Sequence, residues 1–310
     1  MMSKIEKIKS VTKKSNSFKK NIAKKKNDPK TTETEELSNE QLHTIIKKLT
    51  AELDQTKMQL DQFAHTSSHE LQEPLRKITT FSRYLLDEDK SRSPAMIKTY
   101  LNKLEAASVR MTKLIQDMLH FTLITNYDKL FVETDLNEVL KSVVFDLELL
   151  IDEKNVKVKF PRLTFIEAVP FQMHQLFYGI MHNAIKFSRP DMVPTIKIKA
   201  RILPRSDTKL HSDLDQNLKY YEISIEDNGI GFDQQYAQQI FTMFQRLSAG
   251  GDYPGTGIGL AICQKIAHTH NGAIFAEGIE QEGTTIRVLL PIQQPKKLPE
   301  DETTILKTWL

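Results

Sequence analysis

The sequence has little of several residue types, and each shortage excludes a class of protein. Its 310 residues include one cysteine, Cys263, which excludes an intrachain disulfide framework and makes a thiolate metal site unexpected. No run of about 18 apolar residues occurs, so we expect no transmembrane helix. The N-terminus lacks the apolar core of a signal peptide. We therefore expect a cytoplasmic protein, and at roughly 150 residues per domain the length predicts two domains.

The net charge of +3 hides an uneven distribution of charge. Residues 1–30 contain eleven lysines against Glu6 and Asp28, a net charge of +9, so the rest of the chain sums to −6. Residues 1–40 are polar and poor in large apolar side chains, which predicts a disordered tail. Such a tail suits contact with nucleic acid or an anionic membrane. Because it lacks a repeated pattern of interleaved arginine or aromatic residues, we prefer the interpretation as a solvated tail.

Two stretches of the sequence carry apolar residues mostly at spacings of four and three. The first stripe comprises Leu53, Leu60, Ala64, Ser67, Leu71, Ile78, Phe81 and Leu85. The second comprises Ile97, Leu101, Leu104, Met111, Ile115 and Met118, with Tyr100, Ala107, Leu114 and Phe121 beside it. Polar residues 88–94 separate the stripes, so the pattern predicts a hairpin of two amphipathic helices. Because one hairpin has half the core of a bundle, we expect a homodimer with a four-helix bundle.

One residue of the first predicted helix lies off this pattern. At 100° per residue, His69 points away from the stripe and into solvent. Glu70 follows it, and Pro74 lacks the N–H that would bond the carbonyl of Glu70. These residues on their own leave two interpretations open, a chemical function or an ordinary surface histidine beside a tolerated proline.

Residues 131–293 have the pattern of a separate α+β domain. Strands are predicted at 131–134, 156–160, 163–168, 195–203, 220–227, 273–278 and 284–290, and helices at 135–155, 171–188 and 259–270. Strands and helices do not alternate strictly. A mixed or antiparallel sheet with helices on one face fits this order best.

Two glycine clusters and one polar pair carry the chemical signals of this domain. Residues 227–231 (DNGIG) end a strand, and residues 255–259 (GTGIG) open a helix whose N-terminal amides suit phosphate oxygens. The second cluster lacks the context of a dinucleotide-binding fold and the lysine of a Walker loop. Asn183 and Lys186 share a helix, where an amide oxygen can serve Mg²⁺. A plain turn and a buried structural amide are the alternatives.

In order, these segments resemble the motifs of the sensor histidine kinases. Residues 68–76 (SHELQEPLR) resemble the phosphoacceptor box, and residues 182–187 (HNAIKF) the N box. Residues 227–231 and 255–261 resemble the two glycine boxes, residues 240–247 (IFTMFQRL) the F box, and residues 283–285 (GTT) the third box. The resemblance covers roughly residues 50–293, and the residues of several motifs are most similar to those of the phytochrome-like branch.

The resemblance implies a dimerisation and histidine-phosphotransfer hairpin followed by an ATP-binding domain of the Bergerat fold. His69 would accept the γ-phosphoryl group of ATP, and Glu70 would hold its tautomer or take its proton. Asn183 would bind Mg²⁺ and Lys186 a phosphate, while Asp227 would accept the adenine amino proton. Residues 241–256 would form the mobile ATP lid. The remaining implied nucleotide-binding residues are Gly229, Gly231, Gly255, Gly257, Gly259, Leu260 and Thr285.

Two positions depart from the family pattern. Gly179 stands where the N box often carries a second asparagine, and Glu73 stands where a threonine or asparagine often supports phosphatase activity. Glu73 would repel an aspartyl-phosphate, which predicts weak or absent phosphatase activity. Gly179 supports one alternative, a non-catalytic dimeric scaffold. The other alternative is a related ATPase of the gyrase or chaperone type, or a serine kinase that binds a sigma factor, but those lack a histidine-bearing hairpin.

The predicted organisation is a basic tail (residues 1–40), a coiled-coil segment and phosphotransfer hairpin (41–127), a catalytic domain (131–293) and a C-terminal tail (294–310). The expected partner is a response regulator, whose receiver aspartate would take the phosphoryl group. The predicted domains leave no room for a sensor module of about 100 residues. We therefore expect the signal to come from a separate sensor protein, the coiled coil or the basic tail.

Overall fold

The computed structural model describes residues 39–86, 93–124, 130–211, 214–247 and 255–295. The predicted tails lie almost entirely outside these ranges, as does the centre of the predicted lid, residues 248–254. The chain divides into two compact units between Leu60 and Asp61, so the hairpin from Asp61 onward and the α+β part belong to one unit. No helix within the described ranges has both the length and the apolar character to cross a bilayer.

Two long helices form the predicted hairpin, α1 (Asn39–Leu86) and α2 (Pro94–Leu123). Helix α1 continues through Pro74 without interruption. Helix α2 begins where the Ser93 side chain accepts a hydrogen bond from the amide of Met96, with a proline in the first turn. The helices pack through aromatic pairs, among them Phe63 with Phe121 and Phe81 with Tyr100, at centroid distances of 5.7 and 6.0 Å.

The apolar face that α2 buries within the chain differs from the predicted one. Ala107 and Leu114 are buried, although the prediction placed them beside the main stripe. Three residues of that predicted stripe are exposed instead, namely Ile97, Leu101 and Ile115. Apolar residues cover two sides of this helix, and because the stripe was predicted for a bundle of two chains, its role stays a prediction.

The α+β part contains seven strands and five helices within the described residues. In chain order these are β1 (Val132–Asp135), α3 (Leu136–Asp146), α4 (Glu148–Lys154), β2 (Lys157–Lys159), β3 (Phe165–Ala168), α5 (Pro170–Lys186), β4 (Thr195–Ile202), α6 (Arg205–Thr208), β5 (Tyr220–Asp227), α7 (Gly259–Thr269), β6 (Ala273–Ile279) and β7 (Gly283–Pro291). Short 3-10 helices at Gln234–Tyr236 and Gln239–Phe241 precede the glycine-rich loop.

The helix predicted from Asp135 to Asn155 is divided into α3 and α4. Asp135 caps α3 as predicted, since its Oδ1 accepts a hydrogen bond of 2.8 Å from the amide of Asn137. Leu147 separates the two helices with a ψ of 2°. Asn155 ends α4 in the left-handed conformation, which asparagine tolerates better than most residues.

Five strands form a mixed sheet in the order β2-β4-β5-β7-β6, and β1 and β3 form a separate antiparallel pair. Strands β2 and β4 are parallel, whereas the other neighbours are antiparallel. One face of the sheet joins the main core, in which Ile198, Ile223 and Val288 share a cluster with Phe177 of α5 and Ile266 of α7. Burying each such side chain contributes about 1.5–3 kcal/mol. The predicted mixed sheet covered by helices is confirmed.

Candidate active site

A cavity of about 1360 Å³ lies among α5, the loop after β5, the glycine loop before α7 and the hairpin. This volume is large enough for a nucleotide. Nine predicted site residues line it, namely Glu70, Asn183, Lys186, Asp227, Gly231, Gly255, Gly257, Gly259 and Leu260. The fold therefore brings together residues that are up to 190 positions apart in the chain.

Asp227 ends β5 and presents a carboxylate to this cavity. Its Oδ1 accepts hydrogen bonds from the amides of Gly229 and Thr284, at 2.8 and 3.2 Å. Burial raises its pKa to about 6, so the group is mainly ionised at pH 7. Neither of these bonds uses Oδ2, which can accept a hydrogen bond from a ligand N–H group.

Helix α5 places its polar residues at the cavity by burying its other side. Its buried residues include Phe177, Ile180, Met181 and Ile185, which pack into the main core. Asn183 and Lys186 line the cavity near the C-terminal end of this helix. The apolar spacing of the helix therefore fixes where the two predicted ligand-binding side chains emerge.

Lys186 lies in a positively charged part of the cavity. Burial lowers the pKa of its ammonium group, and the nearby Arg246 guanidinium lowers it further. Two cations that repel each other in this way attract an anion, and phosphate oxygens satisfy both. Burial also lowers the pKa of His182, which lines the same cavity, and Lys186 adds to this effect.

The glycine loop shapes the opposite wall. Gly257 has a φ of +75°, and a Cβ there would lie 2.8 Å from the carbonyl carbon of Phe244, so only glycine fits without strain. A Cβ at Gly259 would have no heavy atom within 4 Å other than its chain neighbours and the backbone of its own helix, which leaves room for a ligand. Helix α7 begins at Gly259 without a side-chain cap, so its first amides suit phosphate oxygens.

The hairpin contributes charged residues to the same cavity. Glu70 and Glu73 of α1 line it together with Arg110 and Lys113 of α2. The Arg110 Nη2 lies 3.3 Å from an oxygen of each of these two glutamates. The cavity thus extends from the two glycine clusters to the residue that directly follows His69.

Two contacts hold the glycine loop and α7 against α2. The Thr256 hydroxyl donates a buried hydrogen bond of 2.6 Å to Oδ2 of Asp117. The Lys265 ammonium donates a bond of 2.6 Å to the Phe121 carbonyl and lies 4.1 Å from the centre of the Phe121 ring. Both contacts lie within the unit that begins at Asp61.

Three predicted site residues do not line the cavity. His69 is exposed on α1, as the heptad phase predicts. Gly229 supports the site indirectly, because its amide bonds Asp227. Thr285 lies next to Thr284, which does line the cavity and which opposes Asp227 in the sheet register.

Several lining residues received no role from the sequence, among them Arg110, Lys113, Arg246 and Thr284. Arg246 lies within the F box, so its motif already placed it near the lid. Arg110 and Lys113 of α2 belong to no motif. They reach the cavity only because of how the hairpin packs against the α+β part, which the sequence does not indicate.

The departure at Gly179 has a packing explanation. A Cβ at this position would lie 2.8 Å from Sγ of Cys263 on α7. Cys263 is fully buried, and this burial raises the pKa of its thiol to about 12. A glycine at position 179 therefore lets α5 approach α7 closely.

Two family models match the chain. The model described as "His Kinase A (phospho-acceptor) domain" matches residues 59–126. The model described as "Histidine kinase-, DNA gyrase B-, and HSP90-like ATPase" matches residues 168–294. The chain belongs to the sensor histidine kinases. In this sensor histidine kinase chain, the first match includes His69, and the second includes Asn183, Asp227 and both glycine clusters.

Curated relatives of this histidine kinase chain include two cyanobacterial phytochromes. The chain is 30% identical over 254 residues to the phytochrome-like protein Cph1 of Synechocystis sp., and this match covers 80% of the chain and 31% of Cph1. It is 32% identical over 248 residues to cyanobacterial phytochrome A of Nostoc sp., covering 80% of the chain and 30% of that protein. The chain therefore spans under a third of the length of these relatives.

Solved structures show the same fold. Histidine kinase ThkA, in complex with response regulator protein TrrA, matches with a TM-score of 0.51 and 20% identity, covering 77% of this chain and 64% of that one. Acinetobacter baumannii histidine kinase AdeS matches with a TM-score of 0.50 and 19% identity, covering 72% of this chain and 98% of that one.

Proposed function

We propose that this chain is an ATP-dependent protein histidine kinase that phosphorylates itself on His69 and passes the phosphoryl group to an aspartate of a response regulator. The observation that carries the proposal is one cavity that joins the partly buried Asp227 carboxylate, the Lys186 and Arg246 cations and Glu70 of the phosphoacceptor helix. The protein whose structure includes a bound response regulator, ThkA, supports the partner class.

The nucleotide would lie with its adenine at Asp227 and its phosphates towards Lys186 and the glycine loop. The ionised Asp227 would accept a hydrogen bond from the amino group of adenine, which selects adenine over guanine. Gly229 would hold Asp227 in place. Gly231 has a φ of +61°, and a Cβ there would lie 1.9 Å from the Ile279 carbonyl oxygen, so this glycine lets the loop pass close to that strand. Leu260 and Thr284 would complete these walls of the pocket, whereas Thr285 lies on the opposite face of the strand. The phosphates would lie against the amides that follow Gly255, Gly257 and Gly259.

The residues present fit a bound Mg²⁺ ion. No three His, Cys, Asp or Glu side chains form a metal-binding group in the described part of the chain. Mg²⁺ is usually held by one or two protein oxygens together with substrate phosphates and waters, so the Asn183 amide oxygen suits it. When bound, the ion would neutralise charge on the phosphates.

In the proposed reaction an unprotonated ring nitrogen of His69 attacks the γ-phosphorus of ATP. The new P–N bond forms as the bond from phosphorus to the β,γ-bridging oxygen breaks, and ADP leaves with the electron pair. Glu70 would accept the proton from the other ring nitrogen or hold its tautomer. Because His69 does not line the cavity, transfer requires a rearrangement of the hairpin contacts or a histidine from a second copy.

A homodimer and a cytoplasmic location belong to the same proposal. The exposed apolar residues Ile97, Leu101 and Ile115 of α2 suit burial against a second hairpin in a four-helix bundle. The unpaired, buried Cys263 suits a reducing compartment. Analytical ultracentrifugation tests the dimer, since a monomer at micromolar concentration would contradict it.

Incubation with γ-labelled ATP and Mg²⁺ tests the kinase activity. We expect wild type to take up acid-labile, base-stable label, and we expect His69→Gln and Asn183→Ala to take up none. Label that persists in His69→Gln would exclude the proposed acceptor. Absence of label in folded, ATP-binding wild type would favour a non-catalytic scaffold.

A further inference from the structure

Arg110 of α2 joins the two glutamates that follow His69 on α1. Its Nη2 lies 3.3 Å from Oε2 of Glu70 and 3.3 Å from Oε2 of Glu73. The two glutamates are three residues apart and therefore lie on one face of α1. One guanidinium thus bridges two carboxylates across the hairpin, at the level of the proposed phosphoacceptor.

The surroundings of this bridge restrict how the guanidinium can move. The side chains of Arg110, Glu70 and Glu73 are 31%, 25% and 36% exposed, so all three are partly shielded from water. Glu73 also accepts a hydrogen bond of 2.6 Å from Lys77, one turn further along α1. The Lys77 bond is the main cause that lowers the Glu73 pKa, and the Arg110 charge adds to it, so Glu73 stays ionised.

The bridge forms part of the wall of the proposed nucleotide cavity, which Arg110, Glu70 and Glu73 all line. Without Arg110, the two glutamates would keep one bonded cation, Lys77, and their remaining negative charge would repel the γ-phosphate as it approaches His69. Glu70 without a partner would sample several rotamers, few of which face the neighbouring imidazole. A guanidinium corrects both problems, because its planar fork holds carboxylates in fixed directions, whereas an ammonium group acts as a point charge.

We propose that Arg110 is a positioning residue for phosphoryl transfer, which fixes the direction of the Glu70 carboxylate beside His69 and, together with Lys77, balances the charge of the two glutamates at the wall of the nucleotide cavity. The inference rests on the proposed function, since it assumes that His69 is the acceptor. Arg110 itself forms no bond to phosphorus and carries no proton in the reaction. Its effect falls on the rate of transfer, while the adenine contacts at Asp227 remain intact.

The test is steady-state autophosphorylation of the full chain over a range of ATP concentrations. We expect Arg110→Gln to lower kcat about 10- to 100-fold, as expected when a catalytic group loses its orientation, and to change KM for ATP less than about threefold. Arg110→Lys restores the charge without the fork, so its kcat lies between those of wild type and Arg110→Gln. Adding Glu73→Gln to Arg110→Gln removes one of the two carboxylates that Lys77 alone would have to balance, and should recover part of the loss.

Arg83→Gln is the matched control, because Arg83 is an exposed arginine of α1 with the same chemical change. The inference is overturned if Arg110→Gln has the same kcat as this control. It is also overturned if Arg110→Gln raises KM for ATP and leaves kcat unchanged. If Arg110→Gln melts at a lower temperature than the control, Arg110→Lys becomes the deciding variant. The inference then requires that Arg110→Lys has a lower kcat than wild type at an unchanged melting temperature. Absence of phosphohistidine in wild type refutes the proposed function instead.

Discussion

Replacing Asp227 with asparagine separates the stability cost of a partly buried carboxylate from its use in binding. Asparagine has nearly the same shape and keeps an oxygen for the amides of Gly229 and Thr284, at the present 2.8 and 3.2 Å. The substitution therefore removes the charge while it preserves the local backbone bonds.

The expected gain in stability follows from the pKa of Asp227, which burial raises from 3.8 to about 6. The folded state binds the carboxyl proton of Asp227 more tightly than the unfolded state does. Protonated Asp227 therefore stabilises the fold below pH 3.8, and this contribution is lost as the pH rises through about 6. At about 1.36 kcal/mol for each pH unit, the ionised carboxylate costs about 3 kcal/mol above pH 7. Asp227→Asn should recover up to this amount at pH 8 and almost none near pH 4.

The same substitution, which is expected to stabilise the fold, should weaken the binding of ATP. The two backbone amides require the side-chain oxygen, so the amide nitrogen of asparagine takes the place of Oδ2. A donor then faces the adenine amino group, which is also a donor. Losing a hydrogen bond to a charged acceptor corresponds to a roughly 10- to 100-fold weaker affinity for ATP. The same donor suits the carbonyl oxygen of guanine, so the preference for ATP over GTP should shrink or reverse.

Urea denaturation between pH 4 and pH 8 measures the first effect, and isothermal titration with ATP and GTP measures the second. Asp191→Asn is the control, because it makes the same change at an exposed carboxylate. The buried His270, whose pKa is lowered to about 4, also makes stability depend on pH, but it is present in every variant and cancels in the comparison. A gain that is equal at all pH values, or no gain at pH 8, refutes the reasoning.

Three further predictions concern the packing at Gly179, the contact between the glycine loop and the hairpin, and phosphatase activity. Gly179→Asn forces atoms onto Cys263, 2.8 Å from a new Cβ, and should lower the free energy of unfolding by about 1–3 kcal/mol. Adding Cys263→Ala should restore part of this loss, and an equal loss in both backgrounds contradicts the packing explanation. Thr256→Val removes the 2.6 Å bond to Asp117, so amide hydrogen exchange in the glycine loop should accelerate; unchanged exchange counts against a role for this bond. Because Glu73 cannot donate a hydrogen bond to a hydrolytic water when ionised, the protein should not hasten loss of phosphate from a phosphorylated receiver; clear acceleration contradicts this.

The elements of the α+β part were largely predictable, because local patterns specify them. Strand β5 has the predicted bounds, Tyr220–Asp227, and Asp135 caps α3 as its side chain suggests. The break at Leu147 was missed because the apolar spacing continues across it. Its cause is a local backbone turn that no residue type in this segment announces.

The candidate site was predictable where a motif contributes to it and unpredictable where packing does. Asp227 and the glycine loop line the cavity because their segments carry their own turn chemistry. Thr284 was missed in favour of its neighbour Thr285, since a shift of one residue in strand register exchanges the two faces. Arg110 reaches the cavity through the packing of two helices, which depends on contacts about 40 residues apart in the chain.

The burial of Cys263 has a practical consequence for measuring motion in this kinase. The chain has one thiol, which is fully buried, and with a pKa of about 12 it is almost never a thiolate at neutral pH. Maleimides and other thiol reagents should therefore spare the native protein. A cysteine introduced at an exposed position, such as 83 on α1, would carry a spin label or dye without first removing the natural one. Distances between the hairpin and the ATP-binding domain could then be followed as nucleotide is added.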